Sequence, residues 1–275
     1  IDPRMNLDGD SQVNCVGKHP RFNSISLDGI SQNDRFGLNS NGYSTATGMP
    51  FPYEGIAQVS AELAPFDVTY GGFTACNINA VTKSGSNEWT GTVFLERTGD
   101  QWRGDSLEVN GQAQDYSTKG YTEDVKGFSI GGPILEDKLF FYGAYEESEQ
   151  PRFLAAGYAG SSNGVERPWI SKENHDRIEG IAKNLYNYDP GGLPADGTQT
   201  DEKYMLRVDW NINEQHDATV IYNYYDGVQL RSSDGDDNEF EFANHFYNKG
   251  AVSETTTVRL RSQWTDALSS EMFYS

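Results

Sequence analysis

Oily and charged positions alternate over residues 203–212. Tyr204, Leu206, Val208, Trp210 and Ile212 fall on one side, and Lys203, Met205, Arg207, Asp209 and Asn211 on the other. Alternation with period two marks a strand with one apolar and one polar face. The pattern returns at 256–265, where Val258, Leu260 and Trp264 oppose Arg259, Arg261 and Gln263, and around Asn223, flanked by Tyr222 and Tyr224. Followed along the chain, it predicts strands at 88–98, 125–134, 138–148, 202–213, 216–227 and 254–266, with another starting at 270.

The connections between these strands alternate in length. A long segment (99–124) is followed by a tight turn at Glu136-Asp137. A longer one (149–201) precedes a turn at Glu214-Gln215, and a third (228–253) precedes a turn near Asp266-Ala267. Short turns at one end and long loops at the other are the arrangement of a transmembrane β-barrel. A soluble sandwich alternates in the same way with its apolar face buried, so alternation by itself favours the barrel only slightly. Within 149–201 a surface-loop helix is expected. Ser171 caps it, Ile178, Ile181, Ala182 and Leu185 form a stripe to pack, and Pro190-Gly191-Gly192 ends it.

Upstream of residue 88 the texture is different. Residues 1–20 carry turn formers and little periodicity, Phe22–Leu27 read as a strand ending at the turn dipeptide Asp28-Gly29, and 31–50 form a long polar loop. Pro50 and Pro52 precede Tyr53–Ile56, where a short helix can start, although 57–63 also read as strand. Pro65 and the pair Gly71-Gly72 interrupt the chain, Cys76, Ile78 and Ala80 alternate as a strand, and a turn occupies 83–87.

Charge and composition narrow the classes. A net charge of −20 argues against nucleic acid, whose phosphates call for basic patches. A mean hydropathy of −0.67 is ordinary for a soluble protein, and the sequence contains no run of eighteen apolar residues. A barrel keeps a similar average, because only alternate positions need be apolar, and the 13% aromatic content with 16 tyrosines fits one. No leader precedes the first residues, so the start reads as internal, with any signal peptide removed or upstream. Cys15 and Cys76 are the two cysteines, a candidate disulfide in an exported protein or else two buried thiols.

Candidate chemistry is sparse. His19, His175, His216 and His245 are scattered without metal-ligand spacing, and Thr82-Lys83-Ser84 lacks the glycines of a phosphate loop. Asp234, Asp236, Asp237 and Glu239 are a weak calcium candidate, outweighed by the reading of a solvated acidic loop without EF-hand spacing. Nothing in the sequence supports an enzyme or a cofactor.

Several stretches in one order carry a family likeness. Ile56-Ala-Gln-Val59, Tyr70-Gly71-Gly72 and Asn77-Ile-Asn-Ala-Val-Thr-Lys-Ser-Gly85 resemble the end of the plug domain of TonB-dependent outer-membrane transporters. Arg21-Phe-Asn-Ser-Ile-Ser-Leu-Asp-Gly29, Phe36-Gly-Leu-Asn-Ser-Asn-Gly42 and Gly132-Pro-Ile-Leu-Glu-Asp-Lys-Leu-Phe-Phe141 echo the Oar-like branch, so the likeness covers residues 21–146. The resemblance implies a mainly β chain: a plug domain with a small mixed sheet in 1–88, then in 89–275 the first six or seven antiparallel strands of an incomplete barrel. Such barrels have about 22 strands, so the chain is expected to be part of a longer protein. It also implies uptake of a solute or peptide at the bacterial outer membrane by a monomer, driven by TonB through a segment not recognisable here. Gln32, Asn33, Asp34, Arg35, Phe36 and Tyr43 would lie on the plug side that faces outward into the barrel, offering hydrogen bonds and stacking surfaces to the solute. Against this, the Asn and Asp side chains can simply satisfy their own loop. The alternatives are an adhesion or protein-export component of the same fold and, more distantly, a soluble β-rich binding domain.

Overall fold

The computed structural model describes residues 5–7, 13–15, 17–34, 36, 42–63, 73–102, 104, 106–109, 112–115, 120–233 and 238–275. The expected features at Pro65 and Gly71-Gly72, and residues 37–41 of the Phe36–Gly42 motif, lie outside the described residues.

Two short strands, β1 (Met5–Leu7) and β2 (Val13–Cys15), pair with each other. A four-stranded mixed sheet follows from β3 (Ser24–Leu27), β4 (Ile30–Ser31), β5 (Ile56–Leu63) and β6 (Cys76–Thr82), in the order β4-β3-β6-β5. β3 runs parallel to β6, and β5 is antiparallel to it. The turn from β3 to β4 is built by Asp28 (φ 49°) and Gly29 (φ 85°), the two positive-φ positions of a tight hairpin that Asp-Gly supplies cheaply. Phe22, expected in the strand, closes the single 3₁₀ turn Pro20–Phe22 instead, because proline opens that turn with a preset φ. Tyr53–Gly55 is also a 3₁₀ turn and leads directly into β5, so both readings of that stretch are realised in succession.

Leu27, Phe51 and Ala80 bury one side of this sheet, with Ile56 packed against them. Near the other end of β6 a disulfide joins Cys15 to Cys76 across a Cα–Cα distance of 5.9 Å, packed with Ala75, Val13, Leu63 and Ile78. The covalent bond therefore ties the N-terminal segment to the central strand.

The rest of the chain forms one antiparallel sheet. Its strands are β7 (Thr90–Gly99), β10 (Thr122–Leu135), β11 (Leu139–Arg152), β14 (Gly197–Asn213), β15 (His216–Arg231), β16 (Tyr247–Thr265) and β17 (Leu268–Tyr274). The hairpin β8 (Ser106–Val109) with β9 (Gln112–Asp115) lies between β7 and β10, and the parallel pair β12 (Ala156–Tyr158) and β13 (Val165–Arg167) between β11 and β14. The order β17-β16-β15-β14-β11-β10-β7 makes an open wall whose edges are β7 and β17. All seven expected strands are present, and the first six extend further toward the long connections than the pattern indicated. Tight turns and long segments alternate as expected.

The faces are sharply different. Met205 and Tyr225 are fully buried on the side of the small sheet, whereas Leu206 (55% exposed) and Trp210 (50%) point away from it. The small sheet lies against the polar face at very short range. A Cβ on Gly55 would sit 3.1 Å from the Met205 methyl, and one on Gly85 only 2.3 Å from the Phe141 carbonyl, so glycine lets the backbone pass there.

The loop helix α1 (Lys172–Tyr186) forms with Ser171 as its cap, the hydroxyl accepting from the Asn174 N–H at 3.2 Å. Two expectations are corrected. The helix stops on Asn187 in the left-handed conformation (φ 52°), before the Pro-Gly-Gly run, because asparagine tolerates that geometry. Its stripe is not packed: Ile178, Ile181 and Leu185 are exposed, and the helix is anchored by buried His175 among Tyr158, Phe240 and Phe242.

Removing the disulfide by the pair Cys15→Ser and Cys76→Ser should destabilise the small sheet by about 4 kcal/mol in the chain-entropy model. Pulse proteolysis across a urea series reads this, and an unchanged midpoint would mean that the bond does not hold the region.

Candidate functional site: the contact between the small sheet and the wall

The alternating strands leave the wall with a face of charged and polar side chains that needs polar partners, and the small sheet supplies them in two clusters. In the first, Arg207 of β14 donates from Nη1 to the Thr82 carbonyl (3.1 Å) and hydroxyl (2.8 Å), while Nε reaches Asp209 Oδ2 at 2.8 Å. Its guanidinium also lies 3.9 Å from the carboxylate of Asp28, whose own oxygens accept from the Thr82 N–H (3.2 Å) and hydroxyl (2.7 Å). From β16, Arg259 donates to the Asp28 carbonyl at 2.7 Å. The Asp-Gly turn and the end of β6 are thus clamped by two wall arginines.

The second cluster is buried deeper. Lys203 Nζ donates to Glu146 Oε1 at 2.8 Å and lies 3.1 Å from Asp201 Oδ1, an ion-pair contact without hydrogen-bond geometry. One cation between two carboxylates leaves an excess negative charge, which is costly to bury without donors. Those donors come from the segment preceding β5. The Tyr53 N–H donates to Glu146 Oε2 (2.8 Å), and the Thr47 hydroxyl to Asp201 Oδ2 (2.9 Å). The Tyr225 hydroxyl accepts from the Thr47 N–H (3.0 Å) and donates to its carbonyl (3.1 Å), and Tyr142 donates to the Glu54 carbonyl (2.8 Å). Lys83 pairs with Glu54 at 3.0 Å.

Of the solute-facing residues expected from sequence, Asn33 is occupied by its own loop. Its Nδ2 donates to the Asn23 carbonyl (2.8 Å), its Oδ1 accepts from the Ile25 N–H (2.9 Å), and its backbone bridges to Tyr43. Burial pushes the Tyr43 phenol up to about 12, so it stays protonated at physiological pH. Asp34 Oδ1 accepts from the Phe36 N–H at 3.0 Å, and the Phe36 ring is 87% exposed. Gln32 is partly exposed, its N–H donating to the Ile25 carbonyl. Arg35 lies outside the described residues, as do Asp234, Asp236 and Asp237 of the calcium candidate; Glu239 lines a cavity of about 190 Å³ with Arg167 and Glu241. Among the described residues, His175, Asp176 and Glu179 bring ligand atoms within 4.8 Å of one another, but Asp176 pairs with Lys172 and Glu179 with Lys183.

Sequence reasoning placed Lys203, Arg207 and Asp209 on the polar face but missed Asp28, Thr47, Thr82, Glu146 and Tyr225 as partners. The only available signal was the presence of unpaired charges at inward positions.

Replacing Arg207 by methionine should leave the buried Asp28 carboxylate and Asp209 without their cation and loosen the clamp by about 3 kcal/mol or more. The expected result is faster proteolysis within residues 20–82 while the wall stays folded. Unchanged resistance would show that the arginine does not seat the small sheet.

The comparisons with known proteins fit this architecture. A family model described as an outer membrane beta barrel domain matches residues 81–158. Over 223 residues the chain is 29% identical to the TonB-dependent transporter Oar of Myxococcus xanthus, covering 77% of this chain and 19% of Oar. Its fold is similar to the ferric enterobactin receptor of Pseudomonas aeruginosa (TM-score 0.63, 16% identity, 98% of this chain and 36% of that one). It is also similar to the outer membrane transporter YddB of Escherichia coli (TM-score 0.58, 10% identity, 94% of this chain and 33% of that one). The chain therefore spans about a fifth of the curated relative and about a third of these structures. The chain is thus homologous to the TonB-dependent transporter Oar, carries the outer membrane beta barrel domain over residues 81–158, and shares the fold of these two structures.

Proposed function

We propose that this chain is the plug and the first barrel strands of a transporter that takes up a solute across the outer membrane with energy from a TonB complex. In this reading residues 1–88 are the plug and 89–275 the beginning of the barrel. The tight turns face the periplasm and the long segments the outside, as loop asymmetry in barrels requires. The observation that carries it is the seating of the small sheet on the charged face of the wall through Arg207, Arg259 and the Lys203 cluster. A domain seated through ion pairs and hydrogen bonds on a polar face can shift by exchanging those partners for water. That is what a gate needs and a static adhesin does not, and the name of the related Oar protein also favours transport over adhesion or export. Within the plug, Asn33 and Tyr43 shape the loop, and Gln32, Asp34, Arg35 and Phe36 meet the solute.

The test is untargeted mass spectrometry of spent medium from cells with and without the gene, each with and without the inner-membrane energiser. Uptake predicts a solute depleted only when both are present; depletion that is independent of the energiser contradicts the reading. The apolar face is expected to meet lipid, so Val208→Arg should cost about 2–4 kcal/mol if it lies near the bilayer midplane. Folding titrations into vesicles measure this, and wild-type behaviour would turn that face away from lipid.

A further inference from the structure

Of the four histidines only His175, in the first turn of α1, is buried, at 4% exposed. Its ring is enclosed by those of Tyr158 (centroids 5.2 Å apart), Phe240 (5.6 Å) and Phe242 (4.9 Å), which come from two of the long connections. Nδ1 lies 3.1 Å from Asp176 Oδ1, whereas Nε2 is buried with no hydrogen-bond partner.

That environment suits neither neutral form of the ring, because a neutral imidazole carries its proton on one nitrogen only. With the proton on Nδ1, Asp176 is satisfied and Nε2 becomes a buried acceptor without a donor, which is costly. With the proton on Nε2, the N–H can meet aromatic faces, but the Nδ1 lone pair then confronts a carboxylate oxygen at 3.1 Å. A metal ion on Nδ1 removes both conflicts. It takes the lone pair, attracts the carboxylate, and leaves the proton on Nε2 among the rings.

A third ligand lies one turn further along. Residues three and four apart on a helix are neighbours, so Glu179 stands beside both, and one ligand atom each from His175, Asp176 and Glu179 falls within 4.8 Å of the other two. Zinc bonds of about 2.0–2.2 Å place ligand atoms roughly 3–4 Å apart, so side-chain shifts on the order of one ångström close the set. The neighbouring lysines leave room for this. Lys172 pairs with Asp176 Oδ2 and Lys183 with Glu179 Oε1, so each holds one oxygen of its carboxylate and leaves the other. Both pairs are also open to solvent, where such contacts contribute little.

We infer that His175, Asp176 and Glu179 form a surface site for a divalent transition-metal ion, with water completing its shell. One imidazole nitrogen with two carboxylates suits zinc and its neighbours, whereas calcium and magnesium take oxygen ligands. Because the His175 ring is what holds α1 against Phe240 and Phe242, an ion on it fixes the helix to the next long connection. The site is separate from the contact between the small sheet and the wall, and the inference needs no part of the uptake reading.

The test uses the full-length protein in neutral detergent, freed of metal with a chelator and titrated with zinc against a chromogenic zinc indicator. Wild type should bind one equivalent that the double variant Asp176→Asn with Glu179→Gln binds at least about tenfold more weakly. Lys172→Gln with Lys183→Gln removes two competing cations and should tighten binding, while Glu214→Gln, in a tight turn, should change nothing. Calcium at the same concentration should not displace the zinc. Equal binding by wild type and the carboxylate variant, or displacement by calcium, overturns the inference. Should the carboxylate variant fail to fold, the lysine variant decides, and an affinity no tighter than wild type counts against the site. Every one of these outcomes leaves energised uptake to the depletion experiment.

Discussion

A strand that alternates oily and charged residues forces a polar face on the fold, and that face has to be filled with partners able to satisfy it. Everything else in this chain follows from that constraint. Lys203, Glu146 and Asp201 are each less than a tenth exposed, and such charges are tolerable only when paired and hydrogen-bonded. The small sheet is the object that completes them. Its segment from Thr47 to Tyr53 supplies backbone and hydroxyl donors to the carboxylates, and its Asp-Gly turn supplies acceptors to Arg207 and Arg259. The disulfide serves the same end from within, by fixing the N-terminal segment to β6, the strand that presents Thr82.

The seven wall strands and their two faces were legible because period-two alternation is a local property that a window of ten residues displays. The alternation of short and long connections was equally visible. Composition offered Cys15 and Cys76 as a candidate pair but left buried thiols open; the pairing of β3 with β6 and the close approach of the two cysteines decide for the bond. The contacts that seat the small sheet were not. Thr47 and Tyr225 are 178 residues apart, and Asp28 and Arg259 are separated by 231, with no periodicity linking them. Local competition accounts for the remaining differences. Asn187 ended α1 before the glycines, Pro20 drew Phe22 into a 3₁₀ turn, and Asn33 spent its amide on neighbouring backbone.

Charge is the second organising quantity. A large net negative charge could have been spread evenly, yet Glu147, Glu202 and Asp226 oppose one another on the outer face, where like charges in register disfavour pairing. Cations are concentrated inward, where Arg207 and Arg259 hold the small sheet and Arg152, Arg231 and Lys249 occupy the rows above it. The lower cations have a structural task.

The central claim is that the small sheet rests on the charged face of the wall. A photo-crosslinking amino acid in place of Thr47, activated in intact outer membranes and mapped by mass spectrometry, tests it most directly. The account predicts crosslinks to peptides spanning residues 201–229, which contain Asp201 and Tyr225. Crosslinks confined to other proteins, or to parts of the chain outside the wall, would contradict it.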